Sequence, residues 1–158
     1  MAAPKNKSER KQSLPLSEAA GKLLDECRMV LPGIQALFGF QLIAVFNSNF
    51  AEKLSATLQQ LHLLSMILVI VAAALVMTPA AYHRQTNPCL VSEHFIRLSS
   101  RLLLLAMCSL ASGLSLEVYL ISSIIVSELF ARTLAIGILL LLVFLWFTFK
   151  HVVSNERE

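Results

Sequence analysis

Glu117 is the residue best placed to do chemistry, because it is the one acid well inside a long apolar run, Leu102–Ser127. Burying a carboxyl group in hydrocarbon costs roughly 3 kcal/mol on insertion scales, so a partner or a function must hold it there. Ala106, Ser109, Gly113 and Glu117 follow one another at three- and four-residue steps. On a helix they share one face, and small side chains let a second backbone approach closely. Glu117 is therefore expected to point into a helix contact. It is a candidate proton or cation site, or a structural hydrogen bond made by a protonated acid.

The other chemistry-bearing residues form weaker patterns. His62, His83, His94 and His151 do not place two imidazoles at matched depth inside the apolar runs, as a haem between helices would require. Cys27, Cys89 and Cys108 are an odd set without CxxC spacing, which fits reduced thiols rather than a disulfide framework or zinc site. HExxH, GxSxG, a phosphate loop and the dinucleotide glycine pattern are all missing. The expectation is no enzyme, no cofactor, and no catalytic or metal site.

The elements that must position Glu117 follow from composition. Of 158 residues, 56% are hydrophobic and only 15% charged, and mean hydropathy is +0.70. A soluble domain of this size cannot hide so much apolar surface, so a bilayer must. Crossing about 30 Å of hydrocarbon takes roughly 20 helical residues. Runs of that order fall near Met29–Phe46, Leu61–Tyr82, Leu102–Ile125 and Thr133–Val152. Each is continuous rather than alternating, which indicates helices, and the short links make neighbours antiparallel. The fold class expected is all-α: an integral membrane up-down four-helix bundle with an N-terminal cytoplasmic amphipathic segment. Residues 17–153 make one membrane domain, between a disordered basic tail (1–16) and a short tail (154–158).

Basic residues set the orientation. Lys5, Lys7, Arg10, Lys11, Lys22 and Arg28 precede span one; Arg84, Arg97 and Arg101 sit in the second loop; Lys150 and Arg157 end the chain. The opposite side carries only Lys53 and Arg132. Both termini are thus expected in the cytoplasm of a multi-pass inner-membrane protein. The polar leader should attract anionic lipid, and with no interleaved aromatics it does not suggest nucleic acid. No removable signal peptide is expected, because the first apolar run follows a long polar stretch.

After Ser17, an N-cap candidate, Ala20, Leu23, Leu24, Cys27 and Leu31 fall on one face of an amphipathic helix over 18–31, with Pro32 marking a bend or fresh start. Gln35 and Gln41 are polar groups within span one, suited to bonding a neighbouring helix. Pro79 should kink the end of span two, where Tyr82 and Arg84 anchor in the headgroups. Glu26, Arg28, Gln35, Tyr82, His83, Arg84 and Arg101 form a candidate polar cluster at one membrane face. Within it Glu26 is expected to pair with Arg84 or Arg101.

"LLDECRMVLPGIQALFGF" followed by "MTPAAYHR" resembles an uncharacterised bacterial family of small four-helix integral membrane proteins. Its Glu-x-Arg, Gly-x-Gln, phenylalanine-rich and Pro-x-x-Tyr-His-Arg motifs match Glu26, Arg28, Gly33, Gln35, Phe38, Pro79, Tyr82, His83 and Arg84. The likeness spans Leu23 to Arg101, with Leu31-Pro32 where relatives often have Gln-Thr. It implies the fold, and some relatives are labelled sodium:proton antiporter. Two functions follow as expectations. One is a non-enzymatic helical subunit or scaffold, associating with itself or with a larger membrane complex. The other is a proton-coupled cation or small-solute transporter using Glu117.

Overall fold

The computed structural model describes residues 16–47, 50–85 and 93–148, and these are all-helical. Four long helices dominate: α1 (Leu16–Val45), α3 (Ala56–Gln85), α4 (Glu93–Ile125) and α5 (Glu128–Val143). A single short turn, α2 (Phe50–Lys53), lies between α1 and α3, and α5 runs on into a π-helical turn, Phe144–Thr148. Among the described residues four helices are long and apolar enough to cross a membrane. Leucine- and alanine-rich sequence favours helix, and a helix satisfies its own backbone donors where no water can.

The boundaries correct several expectations. α1 does not break at Pro32; the amphipathic segment and the first span are one 30-residue helix. Its buried residues Ala20, Leu23, Cys27, Ile34 and Gln41 make one continuous stripe, so a single face packs inward along the whole length. Pro32 lies on the exposed side, where the partner it denies the Arg28 carbonyl disturbs no packing. α3 likewise runs through Pro79, whose ring is buried. Beside it Thr78 Oγ1 donates to the Ala74 carbonyl at 2.8 Å. α5 begins five residues before the expected span, because Glu128 favours a helix N-terminus and pairs with Arg132 one turn on. The basic leader before Leu16, residues 86–92 with Cys89, and the tail 154–158 lie outside the described residues.

The helices pack as a row more than as a closed bundle. α3 against α4 is the most extensive contact, α1 lies mainly on α3, and α5 packs along α4 without comparable contact to α1 or α3. The core joins Leu23, Cys27 and Ile34 of α1 to Val69, Ala72 and Val76 of α3 and Ala106 of α4. In α5, Ala131 is the buried residue among those described, while Leu129 and Leu140 are 75% and 62% exposed. Such apolar exposure along a whole helix suits lipid rather than water.

Contacts between α3 and α4 keep a constant antiparallel register. His62 meets Glu117, Ser65 meets Gly113, Leu68 meets Ser109, and Tyr82 meets Phe95. The small face of Ala106, Ser109, Gly113 and Glu117 is the surface α3 occupies. Ser109 Oγ donates to the Leu68 carbonyl at 2.7 Å, and a β-carbon added at Gly113 would stand only 3.3 Å from Cγ2 of Val69.

Candidate functional site

The site assembles where α1 ends, α3 begins and α4 ends. His62 lies about two turns into α3 and Glu117 about two turns before the end of α4, so the antiparallel pairing brings them level. Their side chains are 3% and 14% exposed. His62 Nδ1 stands 3.0 Å from Glu117 Oε1 and 3.3 Å from Oε2. On its other side His62 Nε2 lies 3.2 Å from the backbone carbonyl of Gln41.

That second contact fixes the proton count. A carbonyl oxygen only accepts, so Nε2 must carry a hydrogen and donate it. The Nδ1···Oε1 contact then needs one proton between its two atoms. Either the imidazole is doubly protonated against a carboxylate, or a neutral imidazole accepts from a protonated Glu117. Both forms carry zero net charge and hold a single shared proton. Without it, two acceptors would face each other in a buried site.

Polar groups from three helices enclose the pair. Gln41 Nε2 donates to Ser65 Oγ at 2.8 Å, and Ser65 Oγ donates onward to the Gly113 carbonyl at 3.0 Å. Gln41 Oε1 is buried with no donor, the one such side-chain atom among the described residues. Phe50 of α2 sets its ring edge-on against His62, centroids 5.2 Å apart. Next to His62 a groove of about 470 Å³ runs between the end of α1, α2 and the start of α3.

The sequence reading singles out Glu117 and its small-residue face, and the structure turns both into the α3 contact. It misses His62, which it leaves at the outer edge of span two. The signal was present: in two antiparallel helices joined by a loop, residues equally far from that loop share a level. Of the two glutamines, Gln41 bonds a neighbouring helix while Gln35 is exposed.

The remaining polar residues are scattered over the opposite end. No ion pair joins Glu26 to Arg84 or Arg101 among the described residues. Arg28 instead lies 3.6 Å from Asp25 on the same helix, both exposed. Arg84 and Arg101 are exposed too, and the side chain of His83 lies outside the described residues. Tyr82 stacks on Phe95 of α4, centroids 5.7 Å apart and planes 16° from parallel. Cys27 is buried and Cys108 exposed, both as free thiols. Nowhere among the described residues do three His, Cys, Asp or Glu side chains converge as metal ligands would.

Fold and site together define a class: a small chain whose described residues form four potential membrane-crossing helices, with a buried histidine–glutamate pair between α3 and α4. The chain belongs to DUF6328, a family of unknown function whose model matches residues 16–150. No curated protein and no solved structure matches it.

Proposed function

We propose that the chain is a non-enzymatic multi-pass membrane protein in which His62 and Glu117 form a protonatable centre that couples proton movement to passage of a cation or small solute. One observation carries this reading: a pair buried between α3 and α4 whose contact requires one transferable proton. Ionisable pairs inside a membrane are costly and recur in proton relays. Placing the basic ends inside, by the excess of Lys and Arg there, puts both termini in the cytoplasm of a bacterial inner membrane and the pair towards the outer leaflet.

The test is proton movement in proteoliposomes under an imposed pH gradient, read with an internal pH dye. Flux that depends on the protein and disappears in Glu117→Gln supports the centre. Flux unchanged by that substitution removes it.

A second reading, a helical subunit of a membrane assembly, is favoured by α5, whose face away from α4 is apolar and unpacked. Native mass spectrometry from lipid nanodiscs distinguishes it: a defined oligomer or a retained partner supports a subunit, and an isolated monomer speaks against one.

A further inference from the structure

We infer that the groove beside His62 binds a lipophilic organic cation, which replaces the proton shared by His62 and Glu117. The inference deepens the proton-coupled reading and rests on it. It begins with charge. While the proton is present the pair is neutral; once it leaves, the pair carries one buried negative charge. Among the described residues, the groups facing His62 are Gln41 from α1, Phe50 from α2 and Glu117 from α4, and none of these is basic. Glu52 of α2 is exposed, and Arg132 of α5 is engaged by Glu128. A buried charge without a counter-charge is costly, so the deprotonated pair favours an external cation.

The shape of the groove selects the kind of cation. At about 470 Å³ it lies within the range of small-molecule sites, about 300–1,000 Å³. Its walls are Phe46, Phe50, Leu63 and Met66, with only Gln59, Gln60 and His62 polar. Bare metal ions need a shell of several oxygen ligands, and the polar groups in these walls, two amides and an imidazole, are too few to make one. Phenyl rings and a thioether suit a large, weakly hydrated cation, and the ring faces attract positive charge. Phe46 is 84% and Leu63 56% exposed on the outer, apolar surface of the chain. A ligand dissolved in hydrocarbon therefore reaches the groove sideways. The exchange balances: the protonated pair plus a cation gives the cation-bound anionic pair plus one released proton.

The probe is tetraphenylphosphonium, titrated calorimetrically into the full chain in neutral-lipid nanodiscs, in two buffers of different ionisation enthalpy. The expected result is saturable binding that releases about one proton per cation and tightens as pH rises. Tetraphenylborate, of the same shape and opposite charge, should not exceed its partition into empty discs. Glu117→Gln should weaken tetraphenylphosphonium by at least about tenfold and abolish proton release. Phe46→Leu, on an exposed position, should weaken binding several-fold and leave the proton release intact. Equal binding of both ions would mark a groove that takes any apolar shape, an acyl chain included, and would overturn the inference. Binding without proton release, or no saturable binding, would overturn it as well. If proteoliposome proton flux persists and is indifferent to tetraphenylphosphonium, this inference fails alone. If Glu117→Gln leaves that flux untouched, the reading beneath it fails too.

Discussion

A β-carbon added to Gly113 of α4 would stand 3.3 Å from Cγ2 of Val69 on α3. It would also meet the Ser65 backbone oxygen at 3.4 Å, which cannot rotate away. Gly113→Ala gains about 1 kcal/mol of helix propensity and loses a similar amount to crowding, at the low end of the roughly 1–3 kcal/mol typical of overpacking. Alanine should therefore leave stability near that of the parent. Gly113→Leu has no such offset and should destabilise by about 2–3 kcal/mol. Gly33, with nothing within 4 Å of its added carbon, is the control and should accept leucine. Steric-trapping or thermal unfolding in detergent reads all three.

Glu117→Gln keeps a donor facing His62 Nδ1 but cannot give up its proton. Its thermal stability should therefore stay close to the parent's. Glu117→Leu leaves Nδ1 buried without a partner and should cost about 1–3 kcal/mol. An unchanged thermal midpoint in Glu117→Leu would show that the shared proton does not support the α3–α4 contact.

Ser65 serves two partners and Ser109 one. Bonds between membrane helices average about 0.6 kcal/mol each. Ser65→Ala should therefore cost about twice Ser109→Ala, near 1 kcal/mol against 0.6, measured by the same unfolding assays.

At the opposite end, a double-mutant cycle on Glu26 and Arg84 should give a coupling under about 0.3 kcal/mol, within ordinary additivity. Each side chain is exposed, and among the described residues no ion pair joins them. Coupling well above that value would mean the helix ends move together in lipid.

Single cysteines at Ser48 and Ser127, in a chain otherwise free of cysteine, should react with an impermeant maleimide from outside the cell. One at Ser154 should react only after permeabilisation. The reverse pattern would invert the charge-based orientation.

Hydropathy made four helices legible because continuous apolar runs admit few other readings. Spacing made the α4 contact face legible, since Ala106, Ser109, Gly113 and Glu117 return every turn. Neither signal reveals what a face meets. His62 is one polar residue at the margin of an apolar run, and only the register between α3 and α4 gives it a partner. Pro32 misled for a related reason. Proline interrupts one hydrogen bond, but whether that ends a helix depends on the packing stripe on both sides, here unbroken from Ala20 to Gln41. Glu26, Arg84 and Arg101 are all exposed, and position along the chain alone does not reveal which way each side chain points.

Tyr82 and Phe95 clamp the same two helices that His62 and Glu117 join, but twenty positions away along α3. That is a lever arm of about 30 Å. An aromatic stack holds no charge, so its contact does not depend on the charge state of the other end. Parting the ionic end by about 5 Å then asks for a rotation of only about 10° over that arm, comparable to ordinary scatter in helix crossing angles. Spin labels at Leu63 and Leu116 should lie farther apart in Glu117→Leu than in the parent, while labels at Ala80 and Leu98 stay at constant distance. Equal movement of both label pairs would mean that the hairpin slides as a whole instead of hinging.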